Sequence, residues 1–321
     1  MDWVMPLTNS ALRTMEIKMP LGPTRRAVLA ASLSLITATF LSGQIAWADG
    51  TDSSRWVIEA DEARALLAAG ALLLDTRGEE LRTAVPLMGS TAVTWQEFSV
   101  PDLPNKGHLL SDDAELTDKL RALGVSAGVP VVVVADSANS WGEDGRIVWT
   151  LRTLGHPQSF LVNGGVVALL AGGDLSLTAP TVPGDFIVAR TGAFEIGKEE
   201  LAGLIGQPDV VILDTREPRE YAGATPYGET RGGHIPGAKH VYFKDLIGGD
   251  GRILQGETLK ARLADLGVSE TTQVVSYCTA GIRSGFVTAV LKTAGVNARN
   301  YAGSMWEWSA EDSTAYPLVT D

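Results

Sequence analysis

The sequence predicts an α/β protein built from two open, mostly parallel sheets, each with helices on both faces. Three observations lead there. The chain has 321 residues, about two domains at roughly 150 residues each. One pattern recurs at an offset near 140, which is domain-sized and far longer than a solenoid repeat. Within each copy, short apolar runs of strand length alternate with charged, amphipathic helices, the signature of parallel strands joined by helical crossovers. With 45% hydrophobic and 20% charged residues, and no collagen-like period among its 35 glycines and 15 prolines, the chain has a globular composition.

The elements follow in chain order. Residues 24–48 carry the three parts of an export signal: Arg25 and Arg26, the apolar run Ala27 to Leu41, and Ala46-Trp47-Ala48 as a small-residue cleavage site. The run of about fifteen residues is shorter than the roughly 18 to 20 that cross a bilayer, so no permanent membrane anchor is expected. TRRAVLA resembles a twin-arginine signal, general secretion stays open, and Met19 offers an alternative start. Cleavage near Ala48 would place the mature protein in the periplasm or outside the cell.

Residues 49–177 form the first expected domain. Its first repeated landmark is Leu74-Asp75-Thr76-Arg77, after the apolar run Ala71 to Leu73; it returns as Leu213-Asp214-Thr215-Arg216 after Val210 to Ile212. Both read as buried strands ending in a loop. Leu123-Gly124-Val125-Ser126 returns as Leu266-Gly267-Val268-Ser269, each closing a helix and preceding a second strand, Val131 to Ala135 or Gln273 to Tyr277. A helix follows in each half, with Val148 to Gly155 matching Val287 to Gly295. Residues 178–187, opening with the uncharged TAPTVPG, read as a linker, and 188–321 as the second domain.

Charge and cysteine count narrow the function. The net charge of −12 repels phosphate backbones, so no nucleic-acid partner is expected. A single cysteine, Cys278, excludes an intrachain disulfide and a multi-cysteine metal cluster, and the thiol matters as a reactive sulfur if it matters at all.

Cys278 stands where a strand passes through a tight loop, Thr279-Ala280-Gly281-Ile282-Arg283-Ser284, into an apolar helix. Ligands of open α/β sheets bind outside the carboxyl ends of the strands, which is this position. Loop amides and the following helix terminus direct donors and positive potential at the sulfur. Such surroundings lower a thiol pKa from about 8.5 into roughly the 3.5 to 7.5 range. Gly281 permits the curl and Arg283 adds charge.

Those residues resemble the active-site loop of the rhodanese family of sulfurtransferases, whose pattern is Cys, four residues, then commonly Arg. LDTREPREYAG (Leu213 to Gly223) is similar to the family's first strand and loop, RGGHIPGAKHV (Arg231 to Val241) to its GHIPGA segment, and AGSMWEWS (Ala302 to Ser309) to its closing Trp-containing signature. The resemblance covers Asp49 to the end as a tandem protein and is stronger in the second half. In the first half Ala135 or Asp136 stands where Cys278 does, the loop before the helix is longer, and Pro86-Leu87-Met88-Gly89-Ser90 replaces His234 to Ala238. The resemblance therefore implies a non-catalytic first domain that walls the cleft, with Trp141 and Arg146 expected near the interface.

It also implies the chemistry, for which no metal or cofactor is expected. Cys278 would take a sulfane sulfur from a small anionic donor such as thiosulfate and pass it from a persulfide to cyanide or a thiol. The loop from Thr279 to Ser284 would stabilise the anion, Arg283 would attract the donor, and Arg216 and Arg219 would bind donor oxygens. Asp214 and His234 would support the site structurally, and the protein would be a monomer. Four residues between Cys278 and Arg283, where related phosphatases have five, disfavour phosphate chemistry. The alternatives are a 3-mercaptopyruvate sulfurtransferase, whose loop commonly lacks the arginine, and a persulfide carrier serving a partner protein.

Overall fold

The computed structural model describes residues 54–175 and 177–320; the expected export signal lies outside them. No helix among the described residues is long and apolar enough to cross a membrane.

The first half runs β1 (Val57–Ile58), α1 (Ala60–Ala68), β2 (Leu72–Asp75), α2 (Glu79–Ala84), β3 (Thr91–Ala92), α3 (Asp113–Ala122), β4 (Val131–Val134), α4 (Glu143–Thr153), β5 (Ser159–Val162) and α5 (Gly165–Ala171). The second runs α6 (Lys198–Leu204), β6 (Val210–Asp214), α7 (Pro218–Tyr221), β7 (Lys239–His240), α8 (Gly256–Asp265), β8 (Gln273–Tyr277), α9 (Ile282–Thr293), β9 (Asn297–Asn300) and α10 (Ser304–Trp308). The sheets are ordered β1-β5-β4-β2-β3 and β7-β6-β8-β9, and every pair of named strands is parallel. A parallel bridge between Glu195 and Asn300 holds the place in the second sheet that β1 holds in the first.

Parallel strands buried on both faces need continuous apolar runs, and Val131 to Val134 supplies one with all four side chains fully buried. The repeated Asp-Thr-Arg is a device for ending such a strand. Asp214 and Arg216, both 0% exposed, pair at 3.0 to 2.6 Å, and Arg216 also donates to the Gly233 carbonyl (2.8 Å). Asp75 and Arg77 repeat the clasp, with Arg77 donating to the Val85 carbonyl. A charge this deeply buried persists only when paired, and here each pair ties a strand end to the next loop.

The halves meet along α4 and α9, where glycines let the backbones touch. A Cβ on Gly145 would lie 2.3 Å from the Cα of Phe286, and one on Gly285 would lie 3.1 Å from the Cα of Arg146. Thr293 Oγ1 accepts from the amides of Trp56 and Val57, and Trp149 Nε1 donates to the Phe194 carbonyl. One apolar cluster runs from Trp149 and Leu151 to Phe286 and Val287. Residues 177–194 form no helix or strand and lie along the first half, with the amides of Gly184, Phe186 and Ala189 donating to carbonyls of Arg121, Val125 and Leu154. Because Gly145 meets backbone, Gly145→Ala forces the helices apart and should destabilise the protein by about 1–3 kcal/mol. Urea unfolding measures this, and an unchanged midpoint would contradict the close crossing.

Candidate active site

The two registers locate the reactive position. Asp214 lies opposite Tyr277 and Asp75 opposite Val134, so Cys278 follows the end of β8 and its counterpart after β4 is Ala135. The first half carries no thiol, and four additional residues separate its strand end from α4.

Cys278 sits at the floor of a pocket of about 220 Å³, with its side chain almost wholly buried. Thr279, Ala280, Ile282 and Arg283 form one wall, Tyr227 and Trp306 another, and Trp141 enters from the first half. Trp141 and Tyr227 meet edge to face at 5.8 Å, and Trp306 Nε1 donates to the Tyr227 carbonyl (2.9 Å). Gly281 takes φ +75° as the residue before α9, a left-handed conformation that side-chain-bearing residues rarely adopt. Its freedom makes the four-residue curl possible.

The loop is held from below. The Cys278 amide donates to Ser304 Oγ (3.1 Å), Ser304 Oγ donates to the Tyr301 carbonyl, and the amides of Met305 and Trp306 donate to the carbonyls of Cys278 and Thr279. Ser304 has φ +53°, strained for a non-glycine residue, where its hydroxyl meets the cysteine backbone. The AGSMWEWS segment therefore buttresses the reactive loop.

Burial by itself pushes the Cys278 thiol up. The charge of Arg283, the Ser284 hydroxyl at 3.5 Å and the amides of Ser284 and Ala280 outweigh it, and the thiol lies below its ordinary value. Alkylation by a neutral reagent should therefore reach half its maximal rate below the ordinary thiol pKa; a midpoint at or above that value would refute the cradle.

Arg283 has another partner than the expected one. Its guanidinium lies over Trp141 (5.2 Å) and is forked onto Glu220 at 2.5 and 2.9 Å, and both side chains are buried. Thr279 Oγ1 joins them, donating to Glu220 Oε1 (2.7 Å) and accepting from Arg283 (2.6 Å). The positive charge expected to attract a donor is shared between the Glu220 carboxylate and the Cys278 sulfur, and the fork onto α7 orders the loop. Glu220 was not among the expected site residues. The available signal was an acid three residues after Glu217, and the structure makes it a capping-box partner with a second contact across the domain.

The other expected residues separate clearly. Arg216 does not reach the pocket: it is fully buried in the Asp214 clasp, which corrects its expected role as a donor ligand. Arg219 is exposed, pairs with Glu217 (2.8 Å) and reaches the Tyr227 hydroxyl (3.2 Å), so it braces a pocket wall from outside. Asp214 joins strand end to loop as described. His234 stacks on Tyr221 at 3.7 Å, with Nδ1 3.0 Å from the Tyr221 carbonyl, and its backbone pairs with Val319; this is a structural turn.

A profile for the rhodanese-like domain matches residues 197–311. The chain is 35% identical over 207 residues to a Pseudomonas aeruginosa protein named "Probable 3-mercaptopyruvate sulfurtransferase", covering 63% of this chain and 72% of the relative. The chain belongs to the rhodanese family. A thiosulfate sulfurtransferase of Azotobacter vinelandii is 28% identical over 266 residues, spanning 82% of this chain and 97% of that protein. In fold it is similar to the crystal structure of the Tum1 protein from Saccharomyces cerevisiae, at TM-score 0.69 and 17% identity over 83% of this chain and 99% of that one. It is a sulfurtransferase of the rhodanese type, with two α/β halves.

Proposed function

We propose that the protein transfers a sulfane sulfur from thiosulfate, or a donor of similar size and charge, to cyanide or a thiol acceptor through a persulfide on Cys278. The observation that carries this is the thiol itself, lowered below its ordinary pKa at the floor of an open pocket. In the first step the Cys278 thiolate attacks the outer sulfur of thiosulfate; a new S–S bond forms, the donor's S–S bond breaks, and sulfite leaves with the bonding pair. In the second, cyanide attacks the terminal sulfur, thiocyanate departs and the thiolate returns. No oxidant or reductant is consumed. The loop amides face the persulfide anion, a preorganised environment for charge that moves outward by one atom.

The first half acts in this reading as a non-catalytic wall, and residues 24–48 direct export with cleavage near Ala48. Amino-terminal sequencing of the protein from its native host tests the cleavage. The chemistry is tested by intact-mass analysis after thiosulfate treatment: Cys278 should gain the mass of one sulfur atom and lose it on adding cyanide. No gain on that residue would overturn the proposal.

A second donor has a specific observation in its favour. With Arg283 forked onto Glu220, the rest of the pocket wall is mainly apolar, with Trp141, Tyr227, Trp306, Ala280 and Ile282, and does not favour thiosulfate over 3-mercaptopyruvate. Comparing kcat/KM for the two donors decides between them.

A further inference from the structure

We propose that Arg146, supplied by the half that lacks a thiol, is a positioning residue for the sulfur chemistry: it fixes the peptide planes of the reactive loop and gives the Cys278 anion a buried counter-charge. The inference rests on the sulfurtransferase reading above. Arg146 lies in α4 and is 0% exposed. Its Nη1 donates to the carbonyls of Ala280 (3.4 Å) and Gly281 (3.2 Å), and its Nη2 to the Gly107 carbonyl (2.7 Å) and Ser99 Oγ (3.1 Å). Asn300 Nδ2 also donates to the Gly281 carbonyl (3.1 Å).

Two physical consequences follow from these contacts. The C=O and N–H of a planar peptide point opposite ways, so drawing the carbonyls of residues 280 and 281 toward Arg146 turns the amides of Gly281 and Ile282 to the other side of the loop. The approach also requires the glycine, because a Cβ on Gly281 would lie 2.4 Å from Arg146 Nη1.

The second consequence is electrostatic. Among the described residues no carboxylate pairs with Arg146, whose guanidinium lies 4.7 Å from the Trp149 ring centre and whose Nε has no hydrogen-bond partner. Burial pushes its pKa down to about 10, and the anions that hold it up are Cys278 and, more weakly, Glu195. A buried cation without a carboxylate is costly unless acceptors and negative charge face it; the carbonyls of Gly107, Ala280 and Gly281 supply the acceptors, and the thiolate two residues before Ala280 adds negative charge. Arg283 on α9 also acts on Cys278 and does most to lower its thiol, but it shares its charge with Glu220 on α7, with Glu229 3.5 Å from the Thr279 hydroxyl. Loss of the second half's sulfur would thus leave the first half with an unbalanced charge, which ties the two halves into one functional unit.

The test reads the thiol directly and needs neither donor nor acceptor, so it fails or succeeds independently of the mass test above. In the full mature chain, the pH profile of Cys278 alkylation by iodoacetamide is compared in the wild type, Arg146→Met and Arg146→Lys. At a pH below the wild-type midpoint, Arg146→Met should react about tenfold more slowly, the effect of a midpoint raised by about one unit. Arg146→Lys should keep most of the wild-type midpoint and lose kcat with little change in KM, because it retains charge without the fork. A folded Arg146→Met with the wild-type profile would overturn the proposal. Should that variant not fold, melting of Cys278→Asp against Cys278→Asn in the Arg146 background decides. The aspartate form should melt higher, and an equal or lower melting temperature would overturn the counter-charge.

Discussion

Cys278→Ser should abolish thiocyanate formation from thiosulfate and cyanide, lowering kcat by about three orders of magnitude or more, as removal of a sole covalent nucleophile does. The substitution changes one atom, and the Cys278 amide keeps its bond to Ser304 Oγ. Folding should therefore be retained, and the loss read as chemistry. A serine hydroxyl is not ionised by this cradle and cannot hold a transferable sulfur. Cys278 is the chain's only cysteine, so no neighbouring thiol can substitute. Thiocyanate assayed colorimetrically on the purified variant checks the expectation; more than about one hundredth of the wild-type rate would mean that another group carries the sulfur.

Glu220→Ala is expected to have the largest effect on stability, about 3–5 kcal/mol, because it strands a buried guanidinium. Arg283 loses both arms of its fork, and Thr279 loses the nearer acceptor of its hydroxyl, keeping only Glu229 at 3.5 Å. Removing both charges should cost much less than removing one: the double variant Glu220→Ala/Arg283→Met should recover more than half of the loss, since well-packed apolar side chains often replace a buried ion pair without penalty. Its thiol should nevertheless be less readily ionised than the wild type, because Arg283 contributes to lowering the Cys278 pKa. Urea unfolding of both variants measures the first point and the alkylation profile the second. A Glu220→Ala variant within about 1 kcal/mol of wild type would show that Arg283 finds water or another partner.

The two effects separate what the loop does from what supports it. In the proposed reaction, nucleophilicity resides in one sulfur and a short curl of amides. The curl keeps its shape through groups distant in sequence: Glu220 on α7, Ser304 at the start of α10, and Arg146 on α4 of the other half. The half without a thiol also supplies Trp141 to the pocket and meets α9 backbone to backbone. Trp141 and Arg146 were both expected near this interface, and both lie there.

The duplication, the parallel α/β architecture and the position of Cys278 at a strand end were determined by the sequence alone. Each rests on short-range physics: apolar runs make buried strands, glycine permits a left-handed turn, and successive amides in a tight loop converge on one point. Only the tertiary structure decided how the long cationic side chains are used. Arg216 lies two residues from Asp214 yet could equally have faced the pocket, Arg283 finds its carboxylate 63 residues away, and Arg146 reaches a carbonyl 135 residues away. An arginine extends several ångströms along rotatable bonds, so its partner depends on which helices are packed against it, and no local pattern of residues records that.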